Sequence, residues 1–143
     1  MAAMFTAAAA LLTALVGSGA AGAVTAPGKS VLLKNVNVLG RCNFTVQSVN
    51  PSIGAASVRL AANAQPATLF GYGTNAYTQV FCYVFGGQTA NLLTQFAPFA
   101  NSPVLPTTSE TPTIPFESSY TLCGYAFVKL NSGNQSTTPF VCA

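Results

Sequence analysis

Thr78-Gln79-Val80-Phe81-Cys82-Tyr83-Val84-Phe85, closed by Gly86-Gly87, is the stretch on which the fold turns. Side chains alternate across a strand, so Thr78, Val80, Cys82 and Val84 share one face, and Gln79, Phe81, Tyr83 and Phe85 share the other. Both faces are largely apolar, which predicts a strand inside a sheet rather than at its edge. The two glycines supply the turn that ends it.

The same period of two recurs on either side. Ser30 to Val38 begins as an apolar run and ends in the alternation Asn35-Val36-Asn37-Val38. Cys42, Phe44 and Val46 oppose Asn43, Thr45 and Gln47; Thr121, Cys123, Tyr125 and Phe127 oppose Leu122, Gly124, Ala126 and Val128. Further strands are expected at Ala56 to Ala61, Ala67 to Tyr72, Leu92 to Phe96 and Thr138 to Cys142. Turn residues separate them at Leu39-Gly40, Asn50-Pro51, Gly71 to Asn75, Gly86-Gly87 and Asn131 to Asn134. Short strands and turns at this density predict an all-β domain, either an antiparallel sandwich of Greek-key or immunoglobulin-like type or a small barrel.

One region breaks the pattern. Residues 98–119 hold Pro98, Pro103, Pro106, Pro112 and Pro115 together with both acids of the chain, Glu110 and Glu117. Proline cannot donate to a ladder, so this stretch is no central strand and reads as a long, partly extended crossover between sheets. Long ordered loops often carry recognition, which makes Val104 and Leu105 candidate contact residues.

Phe70, Tyr72, Tyr77, Phe81, Tyr83 and Phe85 crowd one segment. Alternation accounts for the phenylalanines as the core of a central hairpin. Tyr72 and Tyr77, which flank Gly73-Thr74-Asn75, are then the members expected at the surface.

Four cysteines, Cys42, Cys82, Cys123 and Cys142, lie at spacings that lack the close pairs of a zinc site. In a short exported chain they predict two disulfides. A two-residue hairpin loop at Ser132-Gly133 would place Asn131 opposite Asn134, Tyr125 opposite Phe140, Pro139 opposite Ala126 and Cys123 opposite Cys142. That register predicts Cys123–Cys142 and, by exclusion, Cys42–Cys82. It also makes the first a hydrogen-bonded pair, whose wide Cα separation suits a bridge poorly unless a longer loop or a bulge intervenes. An immunoglobulin-like Cys42–Cys123 bridge is the rival, although that fold's buried tryptophan is absent.

The chain contains no His, Asp or Trp, and only two acids against five Lys and Arg, for a net charge of +3. General acid–base chemistry, nucleophile activation and metal binding draw mostly on His, Asp and Glu. The two glutamates lie in the proline-rich stretch rather than on rigid strands, and make poor material for glycoside hydrolysis or calcium binding. Gly28-Lys29-Ser30 resembles the end of a phosphate-binding loop, but residue 23, where its first glycine belongs, is Ala23. The expectation is a non-enzyme with no catalytic residues, no metal and no cofactor. Lys29, Lys34, Arg41, Arg59 and Lys129 are scattered in sequence, which gives no footprint for nucleic acid.

Phe5 to Val16 is an apolar run short of a membrane span, and Ala21-Gly22-Ala23 is an A-x-A cleavage pattern. Residues 1–23 therefore read as a signal peptide, despite the lack of Lys or Arg before the apolar run. Residues 24–143 form one secreted domain with no membrane span. The Ala-, Val- and Gly-heavy composition suggests a bacterial source.

Half the residues are apolar and 5% are charged, which suits a folded domain and not a disordered one. Together these features predict a secreted, non-catalytic structural or interaction module, such as a small subunit or adaptor of an extracellular assembly. Its partner would be another extracellular protein or a further copy. The alternatives are a protein- or glycan-binding or inhibitory domain that uses residues 98–119, and a carrier of an apolar ligand.

Overall fold

The computed structural model describes residues 22–23, 28–36, 39–65, 76–87, 89–98, 108–129 and 135–143, with backbone alone at Gly22, Ala23, Leu39 and Gln135. Tyr72, Val104, Leu105, the strand expected at Ala67 to Tyr72 and the Asn131 to Asn134 turn lie outside them. So does nearly all of the segment read as a signal peptide.

The described residues form strands and no helix: β1 (Gly22–Ala23), β2 (Lys29–Lys34), β3 (Leu39–Asn50), β4 (Ala55–Ala64), β5 (Tyr77–Gly86), β6 (Leu92–Phe96), β7 (Thr108–Glu110), β8 (Thr113–Pro115), β9 (Tyr120–Lys129), β10 (Gln135–Thr137) and β11 (Val141–Cys142). They build two antiparallel sheets. In the first, β3 and β4 are central; β1 and β2 line the free side of β3, and β7 and β8 that of β4. In the second, β5 and β9 are central, flanked by β6 on one side and by β10 and β11 on the other. The described residues are thus all-β, with two sheets and two disulfides, and β5 is internal to its sheet as its two-sided apolar pattern predicts.

Local chemistry explains the joins. Between β3 and β4, Ile53 N–H donates to the Asn50 carbonyl (3.3 Å) and Gly54 N–H to that of Pro51 (3.3 Å). Gly54 sits at φ 62°, a backbone region that glycine enters without a Cβ penalty. The two β1 residues, which belong to the segment read as a leader, pair with Ser48 and Val49 of β3.

Residues 98–119 are not one loop. After Pro98 the chain leaves β6 in the second sheet, and β7 and β8 then pair with β4 in the first, before β9 returns to the second. Pro115 is accommodated because β8 is an edge strand, where a missing N–H costs no ladder bond.

One hydrophobic cluster draws on both sheets, with Leu33, Phe44, Val58 and Leu60 from the first meeting Val80, Val84, Leu122 and Val128 from the second. Cys42 and Cys82, each fully buried, join the two sheets through this core with Cα atoms 5.8 Å apart. Gly124, paired with Cys82 on β9, makes the space: a Cβ there would lie 2.7 Å from Cys42 Sγ and 2.8 Å from the Phe81 carbonyl oxygen. Tyr120 opens β9 inside the core with its ring edge-on to Phe44, centroids 5.4 Å apart. Its hydroxyl donates to the Pro115 carbonyl (3.1 Å) and accepts from Glu117 N–H (3.0 Å). This tie across the turn from β8 to β9 has the form of a tyrosine corner.

The second disulfide is Cys123–Cys142. The register leading to it departs from the expected one. Lys129 pairs with Gln135 and Phe127 with Thr137, one residue out of step with Asn131 facing Asn134. Thr138, not Pro139, stands opposite Ala126: Thr138 N–H donates to the Ala126 carbonyl and Ala126 N–H to Thr138 Oγ1, both at 2.9 Å. Tyr125 and Ala126 on β9 then face three residues, Thr138, Pro139 and Phe140, before pairing resumes at Gly124 and Val141. The extra residue is a bulge, and proline sits in it because no ladder bond is asked of its nitrogen. The bulge also changes which pairs are hydrogen-bonded. Leu122 and Ala143 exchange both bonds (2.9 and 2.7 Å), so Cys123 and Cys142 become the narrow, non-hydrogen-bonded pair, with Cα atoms 4.0 Å apart. The wide spacing of a hydrogen-bonded pair is thereby avoided.

Candidate functional site

Because Cys82 points into the core to reach Cys42, period-2 alternation sends Tyr77, Gln79, Phe81, Tyr83 and Phe85 to the opposite face of β5. Their β9 partners are Lys129, Phe127, Tyr125, Cys123 and Thr121, in that order. The aromatic residues of this hairpin therefore form the outer face of the second sheet. The expectation that the phenylalanines supply the core is overturned: Val80, Cys82, Val84, Leu122, Ala126 and Val128 fill the interior, each fully buried, while Phe81, Tyr83, Phe85, Tyr125 and Phe127 are half-buried. The intersheet bridge and Gly124 bring the backbones of the two layers close, and that space admits small and branched side chains more readily than rings.

The rings form a ladder. Phe81 stacks on Tyr125 across the strands with centroids 4.6 Å apart and planes 8° from parallel. Phe127 stacks on Phe81 at 5.8 Å and 25°, and Tyr83 on Tyr125 at 6.4 Å and 14°. Tyr77 meets Phe127 edge-on at 6.4 Å, and Phe85 lies 6.3 Å from Tyr83. Phe140, from the bulge, leans on both Tyr83 (6.0 Å) and Tyr125 (6.3 Å) and stays 55% exposed. A separation of 4.6 Å is about the spacing between strands. Two coplanar rings cannot come so close, so Phe81 and Tyr125 stand face to face and turn their edges outward. Burial raises the Tyr83 phenol above its ordinary value, with the Tyr125 hydroxyl beside it adding to the shift.

Polar groups frame the ladder. Gln79 Nε2 donates to the Ala97 carbonyl (3.1 Å), tying β5 to the end of β6. Lys129 and Tyr77 stand together at one end, Thr121 and Phe85 at the other. The Cys123–Cys142 bridge lies on the same face beside Tyr83, with Cys142 exposed.

Of the contact residues expected from sequence, Tyr77 belongs to this face, whereas Tyr72, Val104 and Leu105 fall outside the described residues. Sequence reasoning missed Phe81, Tyr83, Phe85, Tyr125, Phe127 and Phe140 as surface residues. The signal that could have found them was the parity of Cys82: a cysteine bridging two sheets points inward, and every odd-numbered neighbour on its strand must point out.

The two carboxylates lie elsewhere. Glu110 ends β7, where burial raises its carboxyl above the usual range. Glu117 lies between β8 and β9; Thr89 Oγ1 is 3.4 Å from its Oε2, and its Oε1 is buried without a hydrogen-bond partner. Among the described residues no three His, Cys, Asp or Glu gather as metal ligands, and no helix is long and apolar enough to cross a membrane. No protein-family model matches the chain, and no curated protein does.

Proposed function

We propose that this protein is a non-catalytic, secreted interaction module, a small subunit of an extracellular assembly, with its two sheets packed as a Greek-key sandwich and residues 1–23 removed on export. The observation that carries this reading is the aromatic ladder on the outer face of the second sheet. Isolated exposed apolar residues are ordinary on any surface; a contiguous row of rings is the kind of patch that marks contact with another molecule. Tyrosine and phenylalanine offer large contact area at low entropic cost, and aromatic residues are enriched where interfaces form. The two disulfides fit an oxidising, extracellular setting.

Hydroxyl-radical footprinting of the protein in native culture medium tests the reading. Phe81, Tyr83, Tyr125 and Phe140 are expected to be protected there and labelled once the assembly is dissociated and the protein purified. Equal labelling in medium and in dilute purified form rejects it.

A further inference from the structure

Resting on that reading, we infer that the occupant of the aromatic face is a second copy of this chain, docked face to face about a two-fold axis that lies in the interface, parallel to the second sheet and perpendicular to its strands. Three observations converge on this partner.

The first is ring orientation. Glycans and nucleobases bind aromatic residues by lying on open ring faces. In the ladder, the faces of Phe81 and Tyr125 are taken up by each other and by Phe127 and Tyr83. What remains outward is a row of ring edges and tyrosine hydroxyls, separated by furrows. An identical ladder supplies teeth of the same height and pitch to fill those furrows.

The second is charge. The described residues of this face carry no carboxylate, and their one cation is Lys129, at the end opposite Phe85. Under the proposed rotation Lys129 of each copy approaches the Phe85 and Thr121 end of the other. No like charges are opposed, and a cation meets aromatic rings. Lys34, Arg41 and Arg59 stay on the far side of the molecule, on the outer face of the first sheet, where they remain solvated.

The third is area. The ten residues each of β5 and β9, the five of β6 and the three and two of β10 and β11, at about 4.8 Å spacing and about 3.3 Å rise, make a face of roughly 500 Å² in projection. Side-chain relief raises its accessible area toward the roughly 800 Å² that each partner contributes to a stable interface. Packing two such faces is also sterically simple, since an isologous contact needs a single self-complementary patch.

Sedimentation velocity on the full secreted protein, from about 1 to about 100 µM, decides the point. The expected result is a dimer for the wild type and a monomer for Phe81→Ser/Tyr125→Ser, with Kd raised on the order of 100-fold. Phe140→Ser, at a half-exposed position outside the core, should raise Kd on the order of 10-fold and keeps the test valid if the double variant fails to fold. Arg41→Ser/Arg59→Ser on the other sheet should leave Kd unchanged. A wild type that stays monomeric throughout, or a dimer indifferent to both ring variants, overturns the inference. Footprinting then separates the two failures: rings protected in medium despite a monomeric purified chain point to a different protein on this face, whereas rings labelled freely remove the interaction module as well.

Discussion

The outer faces of the two sheets are built on the same alternation and carry opposite chemistry. On the first sheet, β3 turns Arg41, Asn43 and Thr45 outward, and β4 turns out Ser57, Arg59 and Asn63. On the second, β5 and β9 turn out Tyr77, Phe81, Tyr83, Phe85, Tyr125 and Phe127. The first face has the pattern of a sheet covered on one side and wet on the other. The second has two apolar sides, one of them spent on the core and one not. The lesson is that a strand apolar on both faces calls for two partners, and a single domain's core supplies only one of them.

The sharpest way to break this contrast is to disturb what decides which face of the second sheet points inward. Gly124→Val would drive a side chain against Cys42 Sγ and the Phe81 carbonyl. We expect a loss of about 4 kcal/mol in denaturant unfolding, or failure to close the intersheet bridge in non-reducing peptide maps. A loss under about 1 kcal/mol would mean the sheets pack more loosely than Gly124 implies.

Replacing the two bridges separately gives the next effect. Cys42 and Cys82 are 40 residues apart, and Cys123 and Cys142 are 19 apart. On loop entropy alone, the paired alanine variants should lose about 4 and about 3 kcal/mol. The intersheet pair, buried at both ends, should lose further for the cavity it leaves, while the pair on the aromatic face, with Cys123 buried and Cys142 exposed, should lose less. Equal melting temperatures for the two variants would contradict the assignment of one bridge to the interior and the other to the surface.

A direct comparison of the faces follows. Phe81→Ala should cost about 2 kcal/mol, since a half-buried ring stacked on two others loses both area and stacking. Arg59→Ala, exposed on the polar face, should stay within about 0.5 kcal/mol. Chemical denaturation of both variants checks the difference, and its reversal would mean that the aromatic face is not ordered as a ladder.

The smallest effect is the pH profile. With no histidine, stability should be level between about pH 6 and 9. Tyr83 and Tyr120 both have raised phenol pKa values, chiefly through burial. In the interval above the ordinary value of 10.0 the native state holds protons that the unfolded chain has released, so stability falls as pH rises there. Glu110 acts with the same sign from the carboxylate range upward, because burial raises it above 4.5. Glu110→Gln should flatten that part of a melting-temperature profile, and an unchanged slope would locate the effect elsewhere.

Much of this architecture could be read from the chain. Alternation places β5 inside its sheet, β6 at Leu92–Phe96 and the two inner strands that carry Cys42 and Cys123. The disulfide pairs also follow from the hairpin and exclusion. The route to Cys123–Cys142 did not: a one-residue bulge at Thr138, Pro139 and Phe140 depends on Thr138 Oγ1 taking the place of a backbone acceptor at Ala126. Nothing in the period-2 pattern announces a side chain that substitutes for the main chain. The strands within residues 98–119 were hidden for a related reason, since proline forbids only the interior of a sheet and leaves its edge open.

What the sequence determines by itself is the central strands, the disulfide partners and the poverty in acid–base chemistry, because these depend on side-chain period, cysteine spacing and residue type. Which face of β5 and β9 became the core was decided only in three dimensions. Hydrophobicity is nearly equal on the two sides of those strands, so the local signal is balanced. The choice was made by Cys42 reaching Cys82 across the sheets and by Gly124 leaving room for that bridge. Apart from Tyr120 at the start of β9, the smaller side chains went inward and the rings were left outside.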